Sequence, residues 1–186
     1  MMATTTLNQI RDHGPCPSGW SELLRYLGKH RSDDDTLSFN TILKAVGMED
    51  AIWCLRVLGN DRRVPMFALA CARNKLAQAK TDELDDELDE ALTVAELWMK
   101  GVGTHEDLVC ADRLAWEQVD AYYFDPVSRL VAYTLESVLD YANNNAPWVC
   151  VRYCNSYFDA QPEQKEEIFL SFFGEENANN PEQNKS

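Results

Sequence analysis

The chain has 186 residues, 45% of them hydrophobic and 10% aromatic, with 17 basic and 31 acidic side chains and a formal net charge of -14. That apolar content is too high for a disordered chain, and a single domain of this length buries a core without disulfides or metals. The charge is lopsided. Residues 1–75 carry ten Lys/Arg against eight Asp/Glu and residues 76–186 carry seven against 23, which argues against nucleic acid or an anionic membrane as a direct ligand and favours a basic partner.

The start, Met1-Met2-Ala3-Thr4-Thr5-Thr6, has neither the basic residues nor the apolar stretch of a secretory signal. The longest apolar run, Val64–Ala72, is about half of what crosses a bilayer. A cytoplasmic protein is therefore expected, its six cysteines reduced and mostly packed as small hydrophobes.

Gly14-Pro15-Cys16-Pro17 forbids a continuous helix, so residues 1–17 are expected to be an irregular lead-in. A first helix follows, capped by Ser18 or Ser21 and ended by Gly28, with Trp20, Leu23, Leu24 and Leu27 on one face. After the polar turn at Asp33-Asp34-Asp35, Leu37–Leu43 begins a short helix ending at Gly47, and Glu49–Leu58 forms the next. Pro65 suits a first helical turn, and Met66–Lys75 is apolar nearly all round, which makes this helix central.

Thr81 is expected to cap an acidic helix that ends at Gly101 and Gly103, and Thr104-His105-Glu106-Asp107 to open another through a capping-box pattern. Asp125-Pro126 starts a further helix, stopped by Asn143-Asn144-Asn145. Trp148–Phe158 is rich in β-formers yet keeps helical spacing, and it is assigned to helix. Pro162–Phe173 is a last amphipathic helix, and residues 175–186 form a disordered acidic and polar tail. The expected fold is all-α: an irregular array of seven or eight short helices in one domain spanning 18–174.

No constellation of residues carries chemistry. Asp33-Asp34-Asp35 lie consecutively in a turn and point in different directions, whereas a hard-cation site needs converging ligands. His13 and Cys16 have metal-like spacing but lack the second tight pair of a structural zinc site. Cys150 and Cys154 have aromatic neighbours that favour burial. His13, His30 and His105 leave little for acid–base work, and no nucleophile elbow, P-loop or dinucleotide glycine cluster is present. No catalytic residue, metal or cofactor is expected, and the chain is read as a non-enzyme.

The acidic helix is different in kind. From Thr81 to Leu97 there are eight acids and no base. At 100° per residue, Asp82, Asp85, Asp86 and Asp89 cover the far side and one flank of the Leu84, Leu88, Leu92 stripe, while Glu83, Glu87 and Glu90 line the other flank. Like charges at i,i+3 and i,i+4 cost a few tenths of a kcal/mol per pair. Burial of each leucine, at about 1.5–3 kcal/mol, outweighs that. The wet faces thus form a candidate surface for a basic partner, extended by Glu106, Asp107, Asp112, Glu117 and Asp120 on the following helix.

Three stretches also resemble a known family. They are Leu37–Leu43 followed by Gly47-Met48-Glu49-Asp50-Ala51-Ile52-Trp53-Cys54-Leu55-Arg56; Asp61-Arg62 through Cys71-Ala72-Arg73; and Ala91-Leu92-Thr93-Val94-Ala95-Glu96 leading to Gly101-Val102-Gly103-Thr104-His105-Glu106-Asp107-Leu108. Over roughly residues 7–120 the chain is similar to the small helical immunity-protein family of bacteria, prophages and phages, whose immunity label is generic and names no toxin. The resemblance implies a non-enzymatic, phage- or prophage-associated protein that binds and neutralises a basic protein, such as a nucleic-acid-binding toxin or a host defence complex. Two alternatives stand beside it: a DNA mimic that inhibits a host nuclease or a CRISPR or restriction complex, and a metal-dependent helical hydrolase. The sequence does not fix the oligomeric state.

Overall fold

Local signals set the helix boundaries in the computed structural model, which describes residues 3–79, 84–121, 125–157 and 162–174. Among these residues there are nine α-helices, a 3-10 turn and one two-stranded ladder, so the chain is all-α as expected. The lead-in, however, is ordered. Thr6 opens α1 (Leu7–Asp12) with a reciprocal capping box, its hydroxyl accepting the Gln9 N–H at 3.2 Å while the Gln9 side-chain oxygen accepts the Thr6 N–H at 3.0 Å. Leu7 and Ile10 anchor it in the core. Ahead of it, β1 (Thr4–Thr5) pairs antiparallel with β2 (Leu37–Ser38), Thr4 opposite Ser38 and Thr5 opposite Leu37.

The cap of α2 (Pro17–Tyr26) is also not the expected one. Pro17 takes the first helical position, for which its ring is suited, so the cap falls to Cys16, whose sulfur accepts the Gly19 N–H at 3.3 Å. Gly28, at φ 65, then lets Lys29 N–H reach the Leu24 carbonyl and end the helix in a Schellman motif. Leu37 belongs to the ladder, and Ser38 caps α3 (Phe39–Cys54) by accepting the Thr41 N–H at 3.1 Å. The break expected at Gly47 is present: that residue sits at φ 77 and ψ 179, outside the helical region, and kinks α3 into the two helical stretches read on either side of it. Leu55–Leu58 continue as a 3-10 turn.

Helix α4 (Arg63–Ala79) begins two residues before Pro65, behind Asp61, which accepts the Arg63 N–H at 2.9 Å. It is central as its composition requires: Val64, Phe67, Ala68, Cys71 and Ala72 are all buried, and it packs on α5 (Leu84–Met99), α7 (Pro126–Ala142), α8 (Trp148–Tyr157) and α9 (Pro162–Phe173). The stretch with mixed β and helical character is therefore helical, as α8. Between α5 and α7 lies α6 (His105–Ala121), which packs against both.

The core is continuous across these helices. Its aromatic centre joins Phe39 of α3, Phe67 of α4, and Phe169 and Phe173 of α9, with ring centroids 5.1–6.5 Å apart in tilted and edge-on arrangements. Four of the six cysteines are buried, while Cys16 and Cys110 are exposed. Cys154 hydrogen-bonds to the Thr134 hydroxyl at 3.3 Å inside the core. No helix among the described residues is long and apolar enough to cross a membrane.

Candidate functional site

The two acidic helices are neighbours. Schellman geometry at Gly101 (φ 82) ends α5, Val102 N–H reaching the Leu97 carbonyl at 2.9 Å, and a short connection returns the chain as α6. A hydrogen bond from the Gln118 amide to the Glu87 carboxylate ties the start of α5 to the end of α6, so the pair is antiparallel. The buried stripes Leu88, Ala91, Leu92, Ala95 and Leu108, Ala111, Ala115, Val119 face the core, which turns the acids outward on both helices.

Asp86, Glu87, Asp89 and Glu90 are exposed on α5, and Glu106, Asp107, Glu117 and Asp120 on α6. Asp82 and Glu83 lie outside the described residues, as does the side chain of Asp85. The expected acidic surface is thus largely assembled on one pair of helices, but its members are not equivalent. On one flank of α5, Arg73 from α4 forms an ion pair with Asp89, donates from Nε to Glu96 at 2.6 Å and from its terminal nitrogen to the Thr93 hydroxyl at 2.7 Å. One charge on that flank is thus offset within the molecule, while Asp86 has no cationic partner among the described residues. On the other flank, no cation among the described residues pairs with Glu87 or Glu90.

Three α6 acids have surroundings that set them apart. Asp107 completes the capping box read in the sequence: its carboxylate accepts the Thr104 N–H and hydroxyl, both at 2.8 Å, and the Thr104 hydroxyl accepts the Asp107 N–H. The backbone bond, then the hydroxyl, holds the Asp107 carboxyl below the ordinary range. Glu117 stands 3.9 Å from Arg113 one turn earlier. Asp112 is turned inward toward α7, with a buried Oδ1 that has no hydrogen-bond partner; burial, and then the nearby Glu136 carboxylate, push its pKa up to about 6. It is half hidden from any partner that docks on the outer face, as its spacing requires: four residues after Leu108 and three before Ala115, it falls on the buried stripe of α6.

The remaining flank of α5 and the adjacent face of α6 enclose a groove of about 380 Å³. Glu87, Glu90, Ala91 and Val94 line one wall and Asp107, Cys110, Ala111 and Leu114 the other, each set at i, i+3, i+4 and i+7. Leu114 is 47% exposed, although it is a large apolar residue. Sequence reading missed this groove because it is made by pairing two helices, although the repeated i, i+3, i+4, i+7 spacing is visible on each.

A larger cavity, about 460 Å³, lies between α2 and α3, walled in part by Cys16, Trp20, Asp50, Trp53 and Arg152. A Cβ on Gly19 would stand 2.6 Å from the Asp50 carboxylate, so a side chain there would require that carboxylate to move aside. Burial, with Glu49 and Glu22 nearby, raises the Asp50 pKa, while the Cys16 sulfur is committed to capping α2. Beside it, the Arg56 guanidinium is sandwiched between Trp53 and Trp148, 4.1 and 3.7 Å from the ring centres, and donates to the His13 carbonyl at 3.0 Å. These contacts fasten α1 and α8 to the end of α3.

The other sequence candidates have ordinary surroundings. Asp33 and Asp35 both pair with Lys29, and the Asp33 carboxylate also accepts the Asp35 N–H at 3.2 Å, closing the turn. Lys29 in turn holds Asp33 below the usual carboxylate range. His13 forms the C-cap of α1. Among the described residues no group of three or more His, Cys, Asp or Glu is placed to hold a metal ion. Compared with protein-family models, with curated proteins and with solved structures, the chain matches none.

Proposed function

We propose that this chain is a non-enzymatic acidic interaction protein, associated with phages or prophages, that binds and neutralises a basic protein through the outer face of α5 and α6. One observation carries the reading: Arg73 pairs with Asp89 and Glu96 on one flank of α5, while Glu87 and Glu90 on the other stand exposed with no cationic partner among the described residues. Mutual repulsion left on that flank is relieved when a partner brings Lys or Arg to it, and the same field speeds encounter. The resemblance read in the sequence at Gly47–Arg56 and Ala91–Leu108 implies the same class of activity. A nucleic-acid-binding toxin or defence factor fits as the target, because a surface that binds phosphates also accepts carboxylates.

DNA mimicry is the weaker of the two binding readings. It requires parallel rows of free acids, whereas on α6 Arg113 sits beside Glu117, Asp112 turns inward and Asp107 is held by the helix cap. The test is affinity capture from host lysate at low salt with the wild type and with a variant carrying Asp86→Asn, Glu87→Gln, Glu90→Gln and Glu117→Gln. A basic partner recovered by the wild type and lost by the variant supports the proposal. Equal recovery by both overturns it.

A further inference from the structure

The groove between α5 and α6 has a composition that selects one kind of occupant. Its floor is apolar, with Ala91, Val94 and Leu114 open to a space of about 380 Å³, and carboxylates stand at both ends. The antiparallel pairing fixes which end is which: Glu87 and Glu90 lie by the C-terminal half of α6, near Gln118, and Asp107 lies by the C-terminal half of α5. Between Glu87 and Val94 the wall runs about 10 Å, two helical turns.

Three physical arguments narrow the occupant. The backbone groups of α5 and α6 are satisfied inside their own helices, so the groove offers no strand edge, and a polypeptide lying in it must satisfy its own backbone, as a helix does. The apolar floor with acids at each end calls for an apolar side chain flanked by Lys or Arg on either side. A second copy docking through the same groove presents the same acids and is repelled. From these we infer that the groove receives two turns of a cationic amphipathic helix of a partner protein, seating a large apolar side chain against Val94 and Leu114 while its basic residues reach Glu87 and Glu90 at one end and lie in the field of the cap-bound Asp107 at the other. This inference rests on the acidic-surface reading above and specifies where and how that surface binds.

Cys110 provides the test, because it lines the groove and is exposed, while Cys16, the other exposed cysteine, lines the separate cavity between α2 and α3. The probe is a synthetic 18-residue Leu/Lys helix with leucines at i, i+3, i+4 and i+7, compared with a peptide of the same composition whose leucines are spread around the helix. Alkylation of each cysteine in the full chain by iodoacetamide is followed by mass spectrometry, and peptide affinity by fluorescence anisotropy. The inference predicts that the amphipathic peptide slows alkylation of Cys110 about tenfold or more and leaves Cys16 unchanged. Leu114→Ser, at a position exposed enough to leave folding intact, is expected to weaken that peptide by roughly tenfold, the scale of one lost apolar contact, and to leave the scrambled peptide unaffected.

If both peptides bind alike, Cys110 stays reactive and Glu87→Gln with Glu90→Gln weakens both, the groove inference falls and the acidic-surface reading stands. If neither peptide binds at low salt, both fall. Concentration-dependent dimers abolished by Leu114→Ser would identify a second copy as the occupant and overturn the inference.

Discussion

Replacing Asp112 by Asn is expected to stabilise the protein at neutral pH, although it removes a charge next to a candidate binding surface. The buried Oδ1 has no partner, and burial with the nearby Glu136 lifts this carboxyl from 3.8 to about 6. At about 1.4 kcal/mol per pKa unit the full rise would carry roughly 3 kcal/mol. The side chain is only half-buried, so solvent screening reduces this to about 1 kcal/mol. The direction follows from linkage: between the unfolded and folded pKa values the native state binds the extra proton, so the wild type gains stability as pH falls through about 6 and gains no more below about 4. The amide of the Asp112→Asn variant does not titrate and has no such dependence. Urea denaturation at pH 7.5 should therefore place Asp112→Asn about 1 kcal/mol above the wild type, with the gap narrowing at pH 5. An Asn variant no more stable at pH 7.5, or a gap unchanged at pH 5, would refute the account of a strained inward carboxylate.

Phe169 meets Phe39, Phe67 and Phe173, so Phe169→Ala should cost about 3–5 kcal/mol in thermal or denaturant unfolding; a loss below about 1 kcal/mol would mean that α9 is not docked on this core. Arg73→Met removes the cation that pairs with Asp89 and Glu96 on α5 and should cost about 1–2 kcal/mol, less at high salt; a loss independent of salt would point to packing rather than charge. Gly101 holds φ 82 at the end of α5, so Gly101→Ala should destabilise by about 1–2 kcal/mol, measured by the same melts, while an alanine tolerated at no cost would rule out the left-handed cap.

Periodicity identifies most helices because the buried stripe of each is local in sequence: Leu88, Leu92, Ala95 on α5 and Phe169, Phe173 on α9 are readable one element at a time. The helix α1 is also legible, since Thr6-Leu7-Asn8-Gln9 is a capping-box pattern, but the breaker at Gly14-Pro15 outweighs the six residues before it in a local reading. Cys16 as the cap of α2 is hidden because sulfur is not among the usual capping groups, and Pro17 alone signals the helix start. The site is legible in composition and not in geometry. Which acids are paired depends on Arg73, contributed by α4 and packed alongside α5. That pairing leaves no trace in local spacing, whereas the inward turn of Asp112 does, since it stands on the stripe of Leu108 and Ala115.

Carboxylate footprinting tests the central claim most directly. The free chain and its complex with the captured basic protein are labelled with a carbodiimide and an amine and read by mass spectrometry. The account predicts that Glu87, Glu90, Glu106 and Glu117 lose label in the complex while the exposed Glu22, Glu49 and Glu163 on other helices keep it. Protection at Glu22, Glu49 or Glu163 with α5 and α6 still fully labelled would contradict it.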